Sequence, residues 1–278
     1  MLLLALFGID LICPHLLLNC WLRSLQVFSC SSTAKLIGLF AVSDRPNRPL
    51  TVTTEQTDSP FAIRVNVLRR NATEHLALVQ TVPLQESASN LATFATGADG
   101  SVLCAIWNSS AVHEMCRTPG AANAPFGADA NTHSLPSAIR FICGFECDGE
   151  RRVAASFEDN TLRVFRARGD GLCELQQIRA PHDNWSPRSL VGLADGAFCV
   201  SSYFIDPADS EWKYAIELCA ADASGALSSP RLLMQFTNVV ELWCNSRPAD
   251  ASDGATRIIA VEYSLSGNSL RVFTLNEG

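Results

Sequence analysis

The chain has 278 residues, 47% of them hydrophobic, with a formal charge of -7 and a pI near 5.2. That is apolar material enough for a substantial core, which argues against disorder. The acidic balance argues against a nucleic-acid partner, because phosphate neutralisation needs clustered Lys and Arg. Eleven cysteines make an odd total, and Cys104, Cys199 and Cys219 lie inside apolar strand-like runs, so mostly free, buried thiols in a reducing compartment are expected.

In chain order, the first segment is MLLLALFGIDLICPHLLLNC, residues 1–20. It is apolar, yet it has no basic start, and Asp10, Pro14 and His15 interrupt it. A signal peptide, a short membrane anchor and a buried cap all stay open for it. Apart from that anchor reading, no membrane span is expected. Three sequons, at Asn71, Asn108 and Asn184, matter only if the chain is secreted.

From residue 21 onward the sequence repeats itself. LRSLQVF (Leu22 to Phe28) returns as LALVQTV (Leu76 to Val82) and LCELQQI (Leu172 to Ile178), and more loosely as LLMQF (Leu232 to Phe236). A second series of strands opens near Leu36, Leu91, Ile139, Leu190 and Val239. RRVAASFEDNTLRVF, from Arg151, comes back as RIIAVEYSLSGNSLRVF, from Arg257, with a related hairpin at Lys213 to Leu218 between them. The alternation in these hairpins places Arg64, His113, Arg163, Glu217 and Arg271 in one outward-facing series. Four short antiparallel strands in about 50 residues is the period of a propeller blade.

The expected fold is therefore all-β, a β-propeller of about five four-stranded blades over residues 21–278. The last unit stops after its third strand, and Leu22 to Phe28 is expected to supply the missing outer strand. The alternative is a partial arc of a seven-bladed propeller. The stretch Arg117 to Ser137, rich in Ala and Pro, is expected to replace the outer strand of the second unit with a mobile loop. Asn245 to Thr256 is expected to interrupt a hairpin.

No nucleotide loop, nucleophile elbow or zinc-protease helix is present, so no catalytic, cofactor or metal residue is assigned. His113, Cys116, Cys143 and Cys147 have a metal-like composition at loose spacing and read as core residues. HDNWSPR, His182 to Arg188, reads either as an inter-blade turn or as a ligand loop. In the second case Trp185 would stack and Arg188 would meet an anion. Arg151, Arg152, Arg163, Arg166 and Arg168 form a basic cluster, either an interaction face or a solvated edge.

The phrase VAASFEDNTLRVFRARGDGLCELQQI, followed by HDNWSPRSLVGLADGAFCVSS, resembles one WD40 repeat running into the next. The turn is Asp159-Asn160, the hydroxyl is Thr161, and Phe165-Arg166 stand where the family has Trp-Asp. In the family that Trp joins a network with Ser or Thr, His and Asp, which Phe165 cannot do. The resemblance implies a non-enzymatic scaffold, cytoplasmic or nuclear, that holds other proteins of a multi-subunit assembly. The protein-binding residues expected on this basis are Arg163, Arg166, Arg168, Trp185 and Arg188. The alternative is a secreted or lumenal glycosylated propeller that binds or hydrolyses a small ligand.

Overall fold

The computed structural model describes residues 34–43, 49–58, 61–70, 76–84, 92–97, 100–118, 125–168, 171–193, 196–206, 208–222, 224–246, 256–264 and 267–275. Among them every regular element is a strand, as the two-residue alternation and the β-branched and aromatic content of the repeats demand. The first sheet is β1 (Ala34–Ser43), β2 (Pro49–Asp58), β3 (Phe61–Arg70) and β4 (Leu76–Leu84). The second is β5 (Ala92–Thr96), β6 (Val102–Ile106), β7 (Ala111–Met115) and β8 (Asn131–Ser134). The third is β9 (Ile139–Cys147), β10 (Glu150–Phe157), β11 (Leu162–Arg168) and β12 (Gly171–Ile178). The fourth is β13 (Ser186–Gly192), β14 (Ala197–Ile205), β15 (Trp212–Ala220) and β16 (Arg231–Phe236), and the fifth is β17 (Val239–Ser246), β18 (Thr256–Ser264) and β19 (Gly267–Leu275).

Each sheet is a meander with its strands in chain order, which is the blade of a β-propeller. The repeated phrases fall on matching strands. The opening series begins the first strand of every sheet, and Arg64, His113, Arg163, Glu217 and Arg271 lie on the third strands β3, β7, β11, β15 and β19. The glutamine-bearing pattern forms the fourth strands β4, β12 and β16. Its first copy, Leu22 to Phe28, lies outside the described residues, as do residues 1–20.

Chain contacts divide the protein into two compact units: residues 1–94, 99–107 and 112–132 in the first, residues 95–98, 108–111 and 133–278 in the second. In unit 1 the core joins Val65, Val67, Val82 and Leu84 of the first sheet to Val102, Cys104, Ile106 and Met115 of the second, with Phe126. In unit 2 one core joins Cys143, Phe145, Ala154, Leu162 and Val164 to Leu190, Phe198, Val200 and Cys219. A second core joins Val191, Cys199 and Ile216 to Val240, Leu242, Ile258 and Ala260. The fourth sheet is thus apolar on both faces, and at roughly 1.5–3 kcal/mol per buried aliphatic or aromatic side chain its two neighbours dominate its stability.

The outward-facing assignment holds for Arg64 and Arg271, which are exposed, and is corrected for His113, which is 1% exposed, and for Glu217, which is fully buried. For Glu217 the reason is the double covering of the fourth sheet, where alternation chooses between two neighbouring sheets, not between core and solvent. The stretch Arg117 to Ser137 is corrected as well. It contains β8, a short outer strand, and an isolated bridge from Arg117 to Phe126. The interruption expected at Asn245 to Thr256 does separate β17 from β18, and residues 247–255 lie outside the described set.

The glutamine of the repeated outer strand has a physical task. Gln176 Nε2 donates to Leu227 O at 2.8 Å, while its Oε1 accepts from Leu227 N at 3.0 Å. Gln80 makes the same clasp in unit 1, donating to Phe126 O and accepting from Phe126 N. One amide side chain thereby satisfies both backbone groups of a segment in the following sheet.

The first strands β9, β13 and β17 pack side by side. β13 comes so close to β9 that a Cβ on Gly192 would overlap the carbonyl oxygen of Gly144. Between β10 and β11 the turn is held by Asp159 Oδ1, which accepts from Thr161 N at 3.0 Å and Thr161 Oγ1 at 2.7 Å, and Asn160 takes a φ of 64°.

Cys104, Cys116, Cys143, Cys147, Cys173, Cys199 and Cys219 are free thiols. Burial pushes the Cys199 thiol up to about 12 and raises Cys143, and burial followed by the Glu217 carboxylate raises Cys219. A thiol held so high stays protonated and unreactive at neutral pH. Iodoacetamide at pH 7.5 followed by peptide mapping should therefore label exposed Cys173 in the native protein and reach Cys143, Cys199 and Cys219 only in denaturant. Gln176→Ala strands the N-H and C=O of Leu227 and should lower unfolding free energy by about 1–3 kcal/mol in urea. Gly192→Ala should lower it by at least about 1–3 kcal/mol, since the backbones of β9 and β13 must move apart.

Candidate functional site

The candidate site lies in unit 2, at the end of the sheets where β9 and β13 begin and the β10–β11 and β14–β15 turns fold back. The first arrangement there surrounds Arg140, a residue that sequence reasoning passed over. Its Nη1 donates to Asn160 Oδ1 at 2.9 Å, Ser186 Oγ at 2.8 Å and Pro187 O at 3.3 Å, and its Nη2 lies 3.2 Å from Glu158 Oε2. The guanidinium is fully engaged and ties the third sheet to the start of β13.

The second arrangement centres on Glu217. Its Oε2 accepts from Trp185 Nε1 at 2.7 Å and from Ser202 Oγ at 2.5 Å. Its Oε1 has no hydrogen-bond partner and lies 4.0 Å from His182 Nε2. The His182 ring stacks on Phe204 with centroids 4.2 Å apart. Tryptophan, serine, histidine and an acid thus form the kind of network that the WD40 resemblance implied, but on β14, β15 and the loop before β13, with Phe165 buried and uninvolved. The network anchors the His182 to Trp185 turn onto β15, and Trp185 N to His182 O at 3.4 Å closes the turn itself.

The third arrangement occupies the opposite face of the fourth sheet. The Arg188 guanidinium lies 5.5 Å from the centre of the Tyr203 ring. Tyr203 in turn meets Trp212 edge-on at 5.1 Å and Tyr214 at 6.3 Å. Strand pairing dictates this cluster: Tyr203 is opposite Tyr214, and Ile205 is opposite Trp212, so rings two residues apart share one face. Trp212 is 52% exposed. Arg188 Nε is buried with no hydrogen-bond partner, and among the described residues no carboxylate pairs with the Arg188 guanidinium.

Three expected contact residues are placed otherwise than the sequence reading had them. Trp185 is 3% exposed and spends its N-H on Glu217, so it offers no stacking surface. Arg163 pairs with Glu174 at 3.1 Å and Asp159 at 3.9 Å and covers the Phe157 ring, and Arg166 pairs with Glu150 at 2.9 Å. Neighbouring carboxylates therefore neutralise Arg163 and Arg166, which leaves Arg151 on β10 and Arg168 at the end of β11 exposed. Burial opposes ionisation of Asp159, yet the Thr161 hydrogen bonds and Arg163 hold its carboxyl below the usual range, keeping that pair charged. Arg188 alone of the five joins an exposed cluster of chemical interest. The signal for it was in the sequence: IRFICG and PRSLVG both place an arginine four residues before the close-approach glycine, giving Arg140 and Arg188 the same position on successive first strands.

Of the sequons, Asn108 and Asn184 are exposed with positive φ, and Asn71 lies outside the described residues. No group of His, Cys, Asp and Glu that could hold a metal ion occurs among the described residues. Among the described residues no helix is long and apolar enough to cross a membrane.

No family model and no curated protein matches the sequence. Among solved structures the chain is similar to the PQQ-bound form of an aldose sugar dehydrogenase from Streptomyces coelicolor, at 14% identity and a TM-score of 0.53. The match covers 89% of this chain and 81% of that one. The propeller fold stands on this likeness, while the WD40 subclass gains no family match. The comparison also corrects the reading of the chain as a non-enzymatic protein scaffold. The propeller it resembles is an enzyme, so the lack of a contiguous catalytic motif does not exclude chemistry assembled from separate blades.

Proposed function

We propose that this propeller binds a small polar molecule of the sugar class on the face formed by Arg188, Tyr203, Trp212 and Tyr214. The observation that carries the reading is an aromatic cluster of exposed Trp212 and half-buried Tyr203 and Tyr214, with one unpaired cation at its edge. The C-H faces of a pyranose ring are apolar and flat, so they match an open indole or phenol ring, while the sugar hydroxyls reach the polar atoms around it. An isolated exposed tryptophan needs no explanation. Two rings that both meet Tyr203, beside a guanidinium that lacks an anionic partner, make a recognisable ligand surface. The similarity to a sugar dehydrogenase supports the same class of ligand and extends the proposal to chemistry on it.

The similar enzyme's structure holds PQQ, a quinone bearing several carboxylates. Among the described residues the aromatic face carries a single guanidinium, Arg188, because Arg140 is fully engaged by the protein and Lys213 is held by Asp209 at 2.6 Å and Glu211 at 3.0 Å. One cation is a poor match for a polycarboxylate, so the residues of the aromatic face do not fit that cofactor.

A calorimetric titration against a panel of monosaccharides and sugar acids should detect at least one ligand, with quenching or enhancement of tryptophan fluorescence. Trp212→Ala should weaken that binding about tenfold or more while changing stability by less than about 0.5 kcal/mol, since the ring is largely in water already. A panel that binds nowhere, or binds the variant equally well, overturns the reading.

A further inference from the structure

Arg140 and Arg188 pose a natural comparison. They hold equivalent positions on β9 and β13, each four residues before the glycine of close approach. The Arg140 guanidinium meets Asn160, Ser186, Pro187 and Glu158. The Arg188 guanidinium meets the Tyr203 ring and, among the described residues, no hydrogen-bond acceptor. A partly buried guanidinium is costly without acceptors, and a ring face replaces only part of what water or a carboxylate would give it.

We propose that Arg188 is completed by a carboxylate on the ligand, so that the preferred ligand of the aromatic face is a sugar acid and not a neutral sugar. The inference rests on the small-ligand reading given above and names its substrate class. A guanidinium lying against Tyr203 presents its remaining N-H groups in a planar fork, which matches the two oxygens of a carboxylate. A phosphate dianion fits less well. It would bring a second negative charge to a place where Lys213 is already paired and where Asp209 and Glu211 stand in the neighbouring turn. The protein's net charge of -7 acts in the same direction.

The test compares sodium glucuronate, methyl glucuronate ester, glucose and glucose 6-phosphate by calorimetry on the full chain, with wild type, Arg188→Gln and Arg188→Lys. Glucuronate should bind about ten- to a hundredfold more tightly than glucose or the ester, and the preference should shrink with added salt. Arg188→Gln should bring glucuronate down to the level of glucose. Arg188→Lys, which keeps the charge and loses the fork, should fall between them. Near-ultraviolet circular dichroism identical to wild type establishes that the variants are folded. Equal binding of glucuronate and glucose, or a preference that survives Arg188→Gln, overturns the inference and leaves the small-ligand reading standing. Tighter binding of glucose 6-phosphate than of glucuronate overturns it in favour of a phosphate. Binding of none of the four overturns both.

Discussion

The structure depends on one constraint: a four-stranded meander of about fifty residues that is apolar on both faces cannot stand alone in water. In the fourth sheet Leu190, Phe198, Val200 and Cys219 require cover on one face, and Val191, Cys199 and Ile216 require it on the other. No loop can supply cover of that area, so the chain supplies another sheet on each side. The hydrophobic term fixes how many neighbours a sheet must have, but it is non-directional and leaves their register free.

Polar groups between the sheets set that register. Gln176 clasps the backbone of Leu227, buried Arg152 donates to Gly225 O at 2.6 Å, Ser156 donates to Arg188 O at 2.8 Å, and Ser189 Oγ accepts from Leu242 N at 2.7 Å. Each tie runs from one sheet to its neighbour and would leave a buried polar atom unsatisfied if the sheets slid. The same logic explains the Glu217 network, whose members come from a loop and two strands. It is a structural anchor, and by pinning the turn at Trp185 it places β13 and therefore Arg188.

The candidate site emerges as the place where this saturation stops. Three cations near the turn end of unit 2 are matched by the protein itself: Arg140 by Glu158, Arg163 by Glu174, Lys213 by Asp209. Arg188 has no such partner among the described residues, and it stands beside the exposed ring of Trp212 and the half-buried rings of Tyr203 and Tyr214. Had the basic cluster from Arg151 to Arg168 been unpaired instead, a protein-binding rim would have been the natural conclusion. Ion pairs across β10, β11 and β12 take Arg163 and Arg166 out of such a rim.

By itself the sequence determined the blade. Period-two alternation, the recurrence of one glutamine-bearing strand and the turn chemistry of Asp159 and Asn160 are local properties, set by backbone geometry and by the strand immediately alongside, so they can be read without coordinates. It also carried the position of Arg188, in the shared spacing of IRFICG and PRSLVG, though not its meaning. Only the tertiary structure decided which faces are covered, which turned His113 and Glu217 from expected surface residues into buried ones and Trp185 from a contact residue into an anchor. It alone decided which charges find partners. Pairing depends on distances of 3 to 4 Å between residues on different strands and sheets, and spacing along one strand does not encode them.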